Sequence, residues 1–360
     1  MIYNEYGKTD KKISAIGFGG MRFRQEDYIE KAAELVIEAN RLGVNYFDTA
    51  PGRYCHDQSE PIMGLAFKNM PNPFYVATKS TFEEDPDENS VRKRVENSVK
   101  RLNVEKINFY YMWAIRNMEQ YRFIMRKGGP YDGAVKAKED GLIEHLCFST
   151  HCMGEEIETI VNDGGYEGVM LAYNIINFKF RQRGLRAAYE KGLGVVAMNP
   201  LGGGIIPRKP EFFKFICENG SDVVNAALRF NVGHKELTSS IVGISDVTQL
   251  KEAVAAAENP SWFSDEKINE IGNRVSAEMD SLCTGCAYCL DCPADIEIVK
   301  YMEAYNDFIL NKSRRAAIGM LEYYWSVTKD GAGKCTQCGK CEKACTQHID
   351  IMNRLHFFAR

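Results

Sequence analysis

The chain has 360 residues, a formal net charge of −4, 45% hydrophobic residues and 26% charged residues. That length holds one large domain and a small one, and the faint acidic excess sets aside a general nucleic-acid or anionic-membrane binder. No 18 consecutive residues are apolar, so no membrane span is expected, and the polar stretch Met1 to Lys12 lacks the apolar core of a secretory signal, which points to the cytoplasm.

From residue 13 to about 257, short β-rich runs alternate with longer runs of helical period. Strands are expected at 13–21, 45–50, 74–80, 107–114, 145–151, 168–174, 194–200 and 239–245. Helices are expected near 27–42, 60–69, 88–102, 134–141, 154–163, 182–190, 222–231 and 247–257. In Ser90–Leu102 the apolar residues Val91, Val95, Val99 and Leu102 recur at helical spacing, with Arg and Lys between them. Eight βα units in this length match a (β/α)8 TIM barrel. The runs Phe74–Val76 and Val195–Met198 are apolar without alternation, as strands covered on both faces should be. A doubly wound open sheet is the alternative, but it announces itself by a glycine-rich phosphate loop, and Gly17-Phe18-Gly19-Gly20 is followed by no GxGxxG. The character changes at Asn259-Pro260, and Ser264 is placed to cap a helix running to about Asp280. The fold class expected is therefore α/β, with a barrel over 1–260 and a small helical and loop domain over 261–360.

Twelve cysteines are many for a cytoplasmic chain, where disulfides do not persist and clustered thiols indicate metal sites. Cys55, Cys147, Cys152 and Cys217 are scattered; Cys147 reads as a small core residue, and Cys55 and Cys152 lie near the expected barrel mouth. The other eight form two groups, Cys283-x2-Cys286-x2-Cys289-x2-Cys292-Pro293 and Cys335-x2-Cys338-x2-Cys341-x3-Cys345. Three thiolates spaced two residues apart wrap a cubane cluster, so two 4Fe–4S clusters in a ferredoxin-like module are expected. Structural zinc is the competitor, but it ordinarily uses two CxxC pairs joined by a longer loop. In bacterial two-cluster ferredoxins the fourth cysteine crosses over, which would set Cys345 with Cys283, Cys286 and Cys289, and Cys292 with Cys335, Cys338 and Cys341. The first group departs in having two residues before its fourth cysteine, and the second in having Thr346 after it.

Strand ends carry barrel chemistry. Asp48 closes Asn45-Tyr-Phe-Asp48, and Lys79 closes Ala77-Thr78-Lys79, where a buried ammonium needs a carboxylate. Tyr54 follows in the next loop. Alone it is an ordinary loop tyrosine; beside Lys79 its phenol would gain acidity and serve as a general acid. The run Arg92-Lys93-Arg94 reads as the solvated face of a helix, and Gly202-Gly-Gly204 either as a phosphate-binding turn or as a plain flexible one.

With these residues in place the sequence resembles the aldo/keto reductases, in the branch with a C-terminal ferredoxin-like extension. The resemblance runs through Ile16-Gly-Phe-Gly-Gly-Met-Arg22, Phe47-Asp-Thr-Ala50, Gln58-Ser-Glu60, Ala77-Thr-Lys79, Phe148-Ser-Thr-His151, Tyr173-Asn174, Asn199-Pro-Leu201 and Val242-Gly-Ile-Ser245. It implies carbonyl reduction with NADP(H) or NAD(H) and an Asp, Tyr, Lys and His tetrad. Asp48 and Lys79 match; the family's tyrosine position is Arg53 here, so Tyr54 is offset by one. Trp113 stands at the histidine position, and its indole has one donor and no acceptor. His151 belongs to the next strand and is not assigned that role. The resemblance also implies nucleotide contacts at Gly20, Met21, Ser149, Asn174, Met198, Leu201, Gly243, Ser245 and Gln249. Of these, Met198 stands where many members have a stacking tyrosine, and Asp246 would repel a 2′-phosphate.

Two functions follow. One is a redox enzyme acting on a carbonyl or unsaturated small molecule, with electrons from nicotinamide or from its own clusters, fed by a ferredoxin or flavodoxin. A flavin mediator is also possible, although no motif indicates one. The other is a non-catalytic redox-sensing or binding protein built on a degenerate barrel.

Overall fold

The computed structural model describes residues 1–23, 29–52, 57–218, 220–258, 263–275 and 277–360. They fall into two compact units: Met1–Pro200 with Glu218–Ser264, and Leu201–Cys217 with Asp265–Arg360. The second unit thus takes in a segment that a single boundary at residue 260 leaves with the barrel.

The first unit opens with a hairpin of β1 (Tyr3–Glu5) and β2 (Lys12–Ser14), and continues through β3 (Ile16–Gly19), β4 (Tyr46–Asp48), β5 (Tyr75–Ser80) and β6 (Ile107–Ile115). Then come β7 (Ile143–Thr150), β8 (Gly168–Ala172), β9 (Gly194–Met198) and β10 (Ser239–Gly243). Strands β3 to β10 pair in chain order, all parallel, and β10 closes on β3 with Gly243 opposite Gly19. Closure removes every sheet edge and excludes the open doubly wound alternative. All eight barrel strands lie where the apolar runs place them.

The connecting helices also follow the sequence pattern. In Glu88–Leu102, Asp87 and Ser90 form a capping box, Val91, Val95, Ser98 and Leu102 are buried, and Asn103 ends the helix in the left-handed region. Ser98 takes the buried place expected of Val99. The run Arg92-Lys93-Arg94 is more than a solvated face: Arg92 pairs with Asp140 at 2.7 Å and Arg94 with Asp85 at 2.8 Å. A helix at Met118–Met125 was not expected. Asn117 caps it, and it buries only Tyr121 and Ile124, too few to show a period.

The N-terminal hairpin is the larger surprise. Tyr6 and Ile13 belong to the barrel's inner core with Tyr46, Ala77, Phe109, Tyr111, Cys147, Met170, Val196 and Ile241. Tyr6 lies against Gly168 and Gly194, the first residues of β8 and β9, so the hairpin closes the N-terminal end of the barrel. A Cβ at Gly168 would stand 1.9 Å from the Tyr6 hydroxyl, which is why that position carries no side chain. The Tyr6 hydroxyl meets Tyr111 Oη at 2.9 Å and Cys147 Sγ at 3.3 Å, and Tyr46 Oη meets Tyr111 Oη at 2.8 Å. Each phenol can donate and accept, so the chain satisfies its own polar groups in a dry core. Cys147 is a core residue, and burial raises its thiol pKa further.

The second unit packs helices Ile298–Asn311 and Ile351–Ala359 around Ile296, Tyr301, Met302, Leu321, Ile349, Leu355 and Phe358. Cys283 and Cys345 sit in this core. Asn306 holds the first cysteine loop from both sides, accepting from Cys283 N–H at 2.8 Å and donating to the Cys283 carbonyl at 2.9 Å. Leu201–Cys217 is tied to the long helix by Lys209 to Asp307 at 2.8 Å and Arg208 to Glu303 at 3.4 Å. No helix among the described residues is long and apolar enough to cross a membrane.

Candidate functional site

The C-terminal ends of the barrel strands bring the first candidates together. Lys79 Nζ donates to both oxygens of Asp48 at 2.7 Å, with the two side chains 1% and 4% exposed. Burial lifts the Asp48 carboxyl above its ordinary range despite the attraction of Lys79. Burial likewise lowers the Lys79 ammonium, against the pull first of Asp48 and then of Glu60. Each charge offsets part of the other's cost of burial.

Trp113 is buried beside this pair, with its ring centroid 5.9 Å from Lys79 Nζ, within cation–π range. Its aim depends on an irregularity that the sequence does not display. The register between β6 and β7 shifts between Met112 and Ile115, and Ala114 has φ +58°. Such a bulge re-aims neighbouring side chains. Ser149 Oγ accepts from the Ala114 N–H at 2.9 Å and holds it. Tyr54, together with Arg53 and Cys55, lies outside the described residues. Of the described residues on either side, Gly52 N–H donates to Asp57 Oδ1 at 2.7 Å and Asp57 pairs with Arg101.

Sequence reasoning missed the supports of the pair. Glu60 is fully buried, accepting from Thr78 Oγ1 at 2.8 Å and from Arg101 Nε at 2.9 Å, and burial raises its carboxyl pKa. Ser59 Oγ meets Thr49 Oγ1 at 2.6 Å and donates to the Gly20 carbonyl, while the Gly20 N–H donates to the Asp48 carbonyl at 2.8 Å. Thr78, Glu60 and Arg101 join Lys79's strand to two helices. In sequence Glu60 and Thr78 showed only as members of Gln58-Ser-Glu60 and Ala77-Thr-Lys79, and Arg101 not at all.

The remaining nucleotide candidates of the first unit line the same strand ends. Met198 ends β9 and is half-buried. Asn174 donates to the Asn199 carbonyl at 3.0 Å and accepts from Ile176 N–H at 3.0 Å, which leaves its amide one hydrogen and one lone pair. Gln249 Oε1 accepts from Ser245 N–H and Oγ–H, and its N–H₂ remains as a donor. Asp246 caps the helix Val247–Ala256. Gly20 and Met21 begin the loop after β3; next in it, Arg22 lies over Gly243, where a Cβ would approach its Cγ to 2.5 Å. This exposed guanidinium escaped the sequence reading. His151 is buried, its N–H donating to the Ile115 carbonyl. Cys152 is buried and its thiol is pushed up to about 12, chiefly by burial, which removes it as a thiolate at neutral pH.

Leu201 and Gly202–Gly204 lie in the second unit. All three glycines have positive φ, and Gly203 faces the Thr284 backbone so closely that a Cβ would stand 2.4 Å away.

The eight cysteines form two sets there. Cys292, Cys335, Cys338 and Cys341 line one pocket, walled by Ile296, Ile298, Met352 and Leu355. Cys286 Sγ meets Thr346 Oγ1 at 3.4 Å, which puts the end of the second run beside the first group. Two runs of four thiols, each with three spaced two residues apart, supply eight sulfur donors. This donor set fits a polynuclear iron–sulfur group.

Comparison with known proteins divides the chain once, between residues 273 and 282, and leaves Leu201–Cys217 with the first part. The model for the "Aldo/keto reductase family" matches residues 15–273, and that for a "4Fe-4S dicluster domain" matches residues 282–350. L-galactose dehydrogenase of Arabidopsis thaliana is 29% identical over 285 residues, covering 69% of this chain and 86% of that protein. An NADH-specific methylglyoxal reductase of Escherichia coli is 24% identical, covering 56% of this chain and 67% of its own. Among solved structures, the holo form of an aldo-keto reductase from Bacillus halodurans superposes with a TM-score of 0.65 at 21% identity, covering 77% of this chain and 97% of that one. That last likeness is one of fold.

Proposed function

This chain belongs to the aldo/keto reductase family and carries a 4Fe–4S domain, and from that premise we propose that it reduces a carbonyl or an activated double bond of a small molecule, with electrons drawn through two clusters of its own. The buried Asp48–Lys79 pair carries the reading. An ion pair so placed is no dependable source of stability, so its presence at the strand ends calls for a chemical use.

Asp48 keeps Lys79 protonated against burial, and the Lys79 charge lowers the pKa of a neighbouring phenol. Tyr54 is proposed as that phenol, donating its proton to the substrate as negative charge develops there. Trp113 offers one N–H and a broad apolar face, which favours a bulky or apolar substrate. When bound, the clusters supply single electrons and a nicotinamide cofactor supplies a hydride. Met198 in place of a stacking aromatic and Asp246 beside the expected phosphate position weaken nicotinamide binding, which supports delivery through the clusters. A ferredoxin or flavodoxin is the proposed donor. Ser149, Asn174, Gly243, Ser245 and Gln249, with the exposed Arg22, are the residues proposed to contact a nicotinamide nucleotide where one binds.

The test is anaerobic purification with iron and sulfide assay and extraction of any nucleotide or flavin. Single-turnover reduction of a carbonyl and enone panel by chemically pre-reduced protein follows. Turnover without NADPH is expected, falling on the order of 10²-fold or more in Lys79→Met. Full NADPH-driven turnover after cluster removal would overturn delivery through the clusters. Nicotinamide binding with no turnover across the panel would favour the non-catalytic reading.

A further inference from the structure

The two cysteine groups carry rims of opposite charge. From Leu282 to Val299 there is no Lys or Arg, while Asp291, Asp295 and Glu297 are exposed, Glu297 in an ion pair with Lys300. Around the second group Lys334, Lys340 and Lys343 are exposed, and among the described residues none of the three is in an ion pair. Of the nearby carboxylates, Glu342 accepts from Met352 N–H at 2.8 Å, Asp350 caps the helix Ile351–Ala359, and Asp330 is exposed. Lys340 lines the cysteine-walled cavity itself. Of the eight cysteines only Cys338 is exposed, and it sits inside this lysine rim.

Resting on the function proposed above, we propose that the edge formed by Lys334, Cys338, Lys340 and Lys343 is the docking port for a small acidic one-electron carrier protein. Charge complementarity names the partner. A protein of net charge −4 has no general pull on anionic polymers, but a local basic rim steers an acidic protein to Cys338, the most open of the eight cysteines. Each encounter oxidises the carrier by one electron and reduces the group held by Cys335, Cys338, Cys341 and Cys292 by one. No proton moves at this step, and two deliveries provide the pair that the substrate reduction consumes. The stretch Leu282–Val299, which flanks Cys292 in the same cavity, offers the carrier no lysine or arginine, so the basic edge comes from the second run.

The test uses the whole anaerobic protein and follows cluster reduction directly by stopped-flow absorbance, with a reduced acidic ferredoxin and a reduced flavodoxin as probes. For the native chain the second-order rate should fall steeply between low and high ionic strength. The triple variant K334E/K340E/K343E should lose on the order of tenfold or more in that rate at low salt, with the salt dependence flattened or reversed, and Lys→Gln at the same positions should fall between. Dithionite-reducible cluster content should stay at the native level, which separates lost docking from lost folding. Equal carrier rates and equal salt dependence in all three proteins overturn the port while leaving the proposed function standing; a chain that holds no reducible cluster overturns both. Lysine-dependent binding to duplex DNA or anionic vesicles, with none to either carrier, also overturns it.

Discussion

A buried carboxylate and a buried ammonium each disfavour folding, and Asp48 and Lys79 are tolerated at the barrel mouth only because both Asp48 oxygens lie 2.7 Å from Lys79 Nζ. Their opposed pKa shifts, Asp48 upward and Lys79 downward, are the residue-scale signature of that burial. Removing one partner leaves the other charge stranded. Lys79→Met should therefore cost about 3–5 kcal/mol in urea unfolding. The double variant Asp48→Asn with Lys79→Met should recover most of that loss while turnover stays abolished. A double variant as unstable as the single one would mean that the pair contributes net stability. This pair was legible in sequence because a lysine at the end of an apolar run must find an anion. Its supports were not: Glu60 and Arg101 are charged residues on helices, and nothing in their spacing tells which of them turns inward. Nor was the placement of Trp113, which depends on the left-handed Ala114 and the bulge it creates.

At the scale of elements, the eight barrel strands could be read because a strand buried on both faces is apolar along its length. The hairpin could not. Its strands are three residues each, and one residue, Ala15, separates β2 from β3, so the two merged into a single expected strand. What the hairpin does is fixed by contacts remote in sequence: Tyr6 fills the barrel floor against Gly168 and Gly194. These glycines read as unremarkable strand starts until the ring that covers them is known. Gly168→Ala should destabilise the protein by about 1–3 kcal/mol through overpacking. In a Tyr6→Ala background, itself weakened by about 3–5 kcal/mol, the same substitution should cost little, giving a coupling of about 1–3 kcal/mol in a denaturation cycle. Additive effects would show that Tyr6 and Gly168 do not meet as described.

Over the whole chain, the two units draw on separate cores, and the cysteines divide unequally between them. The barrel's inner core is built of aromatic and aliphatic side chains with Cys147 as its thiol. The second unit's core contains Cys283 and Cys345, with Cys289, Cys292, Cys335 and Cys341 packed against it. The sequence displayed these eight residues plainly but not the Leu201–Cys217 segment that joins them, because no change of composition marks it. Burial, helped by the charge of Cys286, pushes the Cys289 thiol up to about 12, so at neutral pH a metal-free second unit holds a neutral thiol there in place of a ligating thiolate. Cluster binding must then contribute folding free energy to this unit and release protons as it forms. Anaerobic removal of iron by a chelator should therefore raise amide exchange across Leu201–Cys217 and Asp265–Arg360 while β3 to β10 keep their protection, as read by hydrogen exchange and mass spectrometry. Cys345→Ser should loosen the loop of Cys283, Cys286 and Cys289, and Cys292→Ser the loop of Cys335, Cys338 and Cys341, each leaving about half the iron. If each substitution instead loosens its own run, the ligands do not cross. Loss of protection in the barrel strands on iron removal would mean that the clusters support the whole chain.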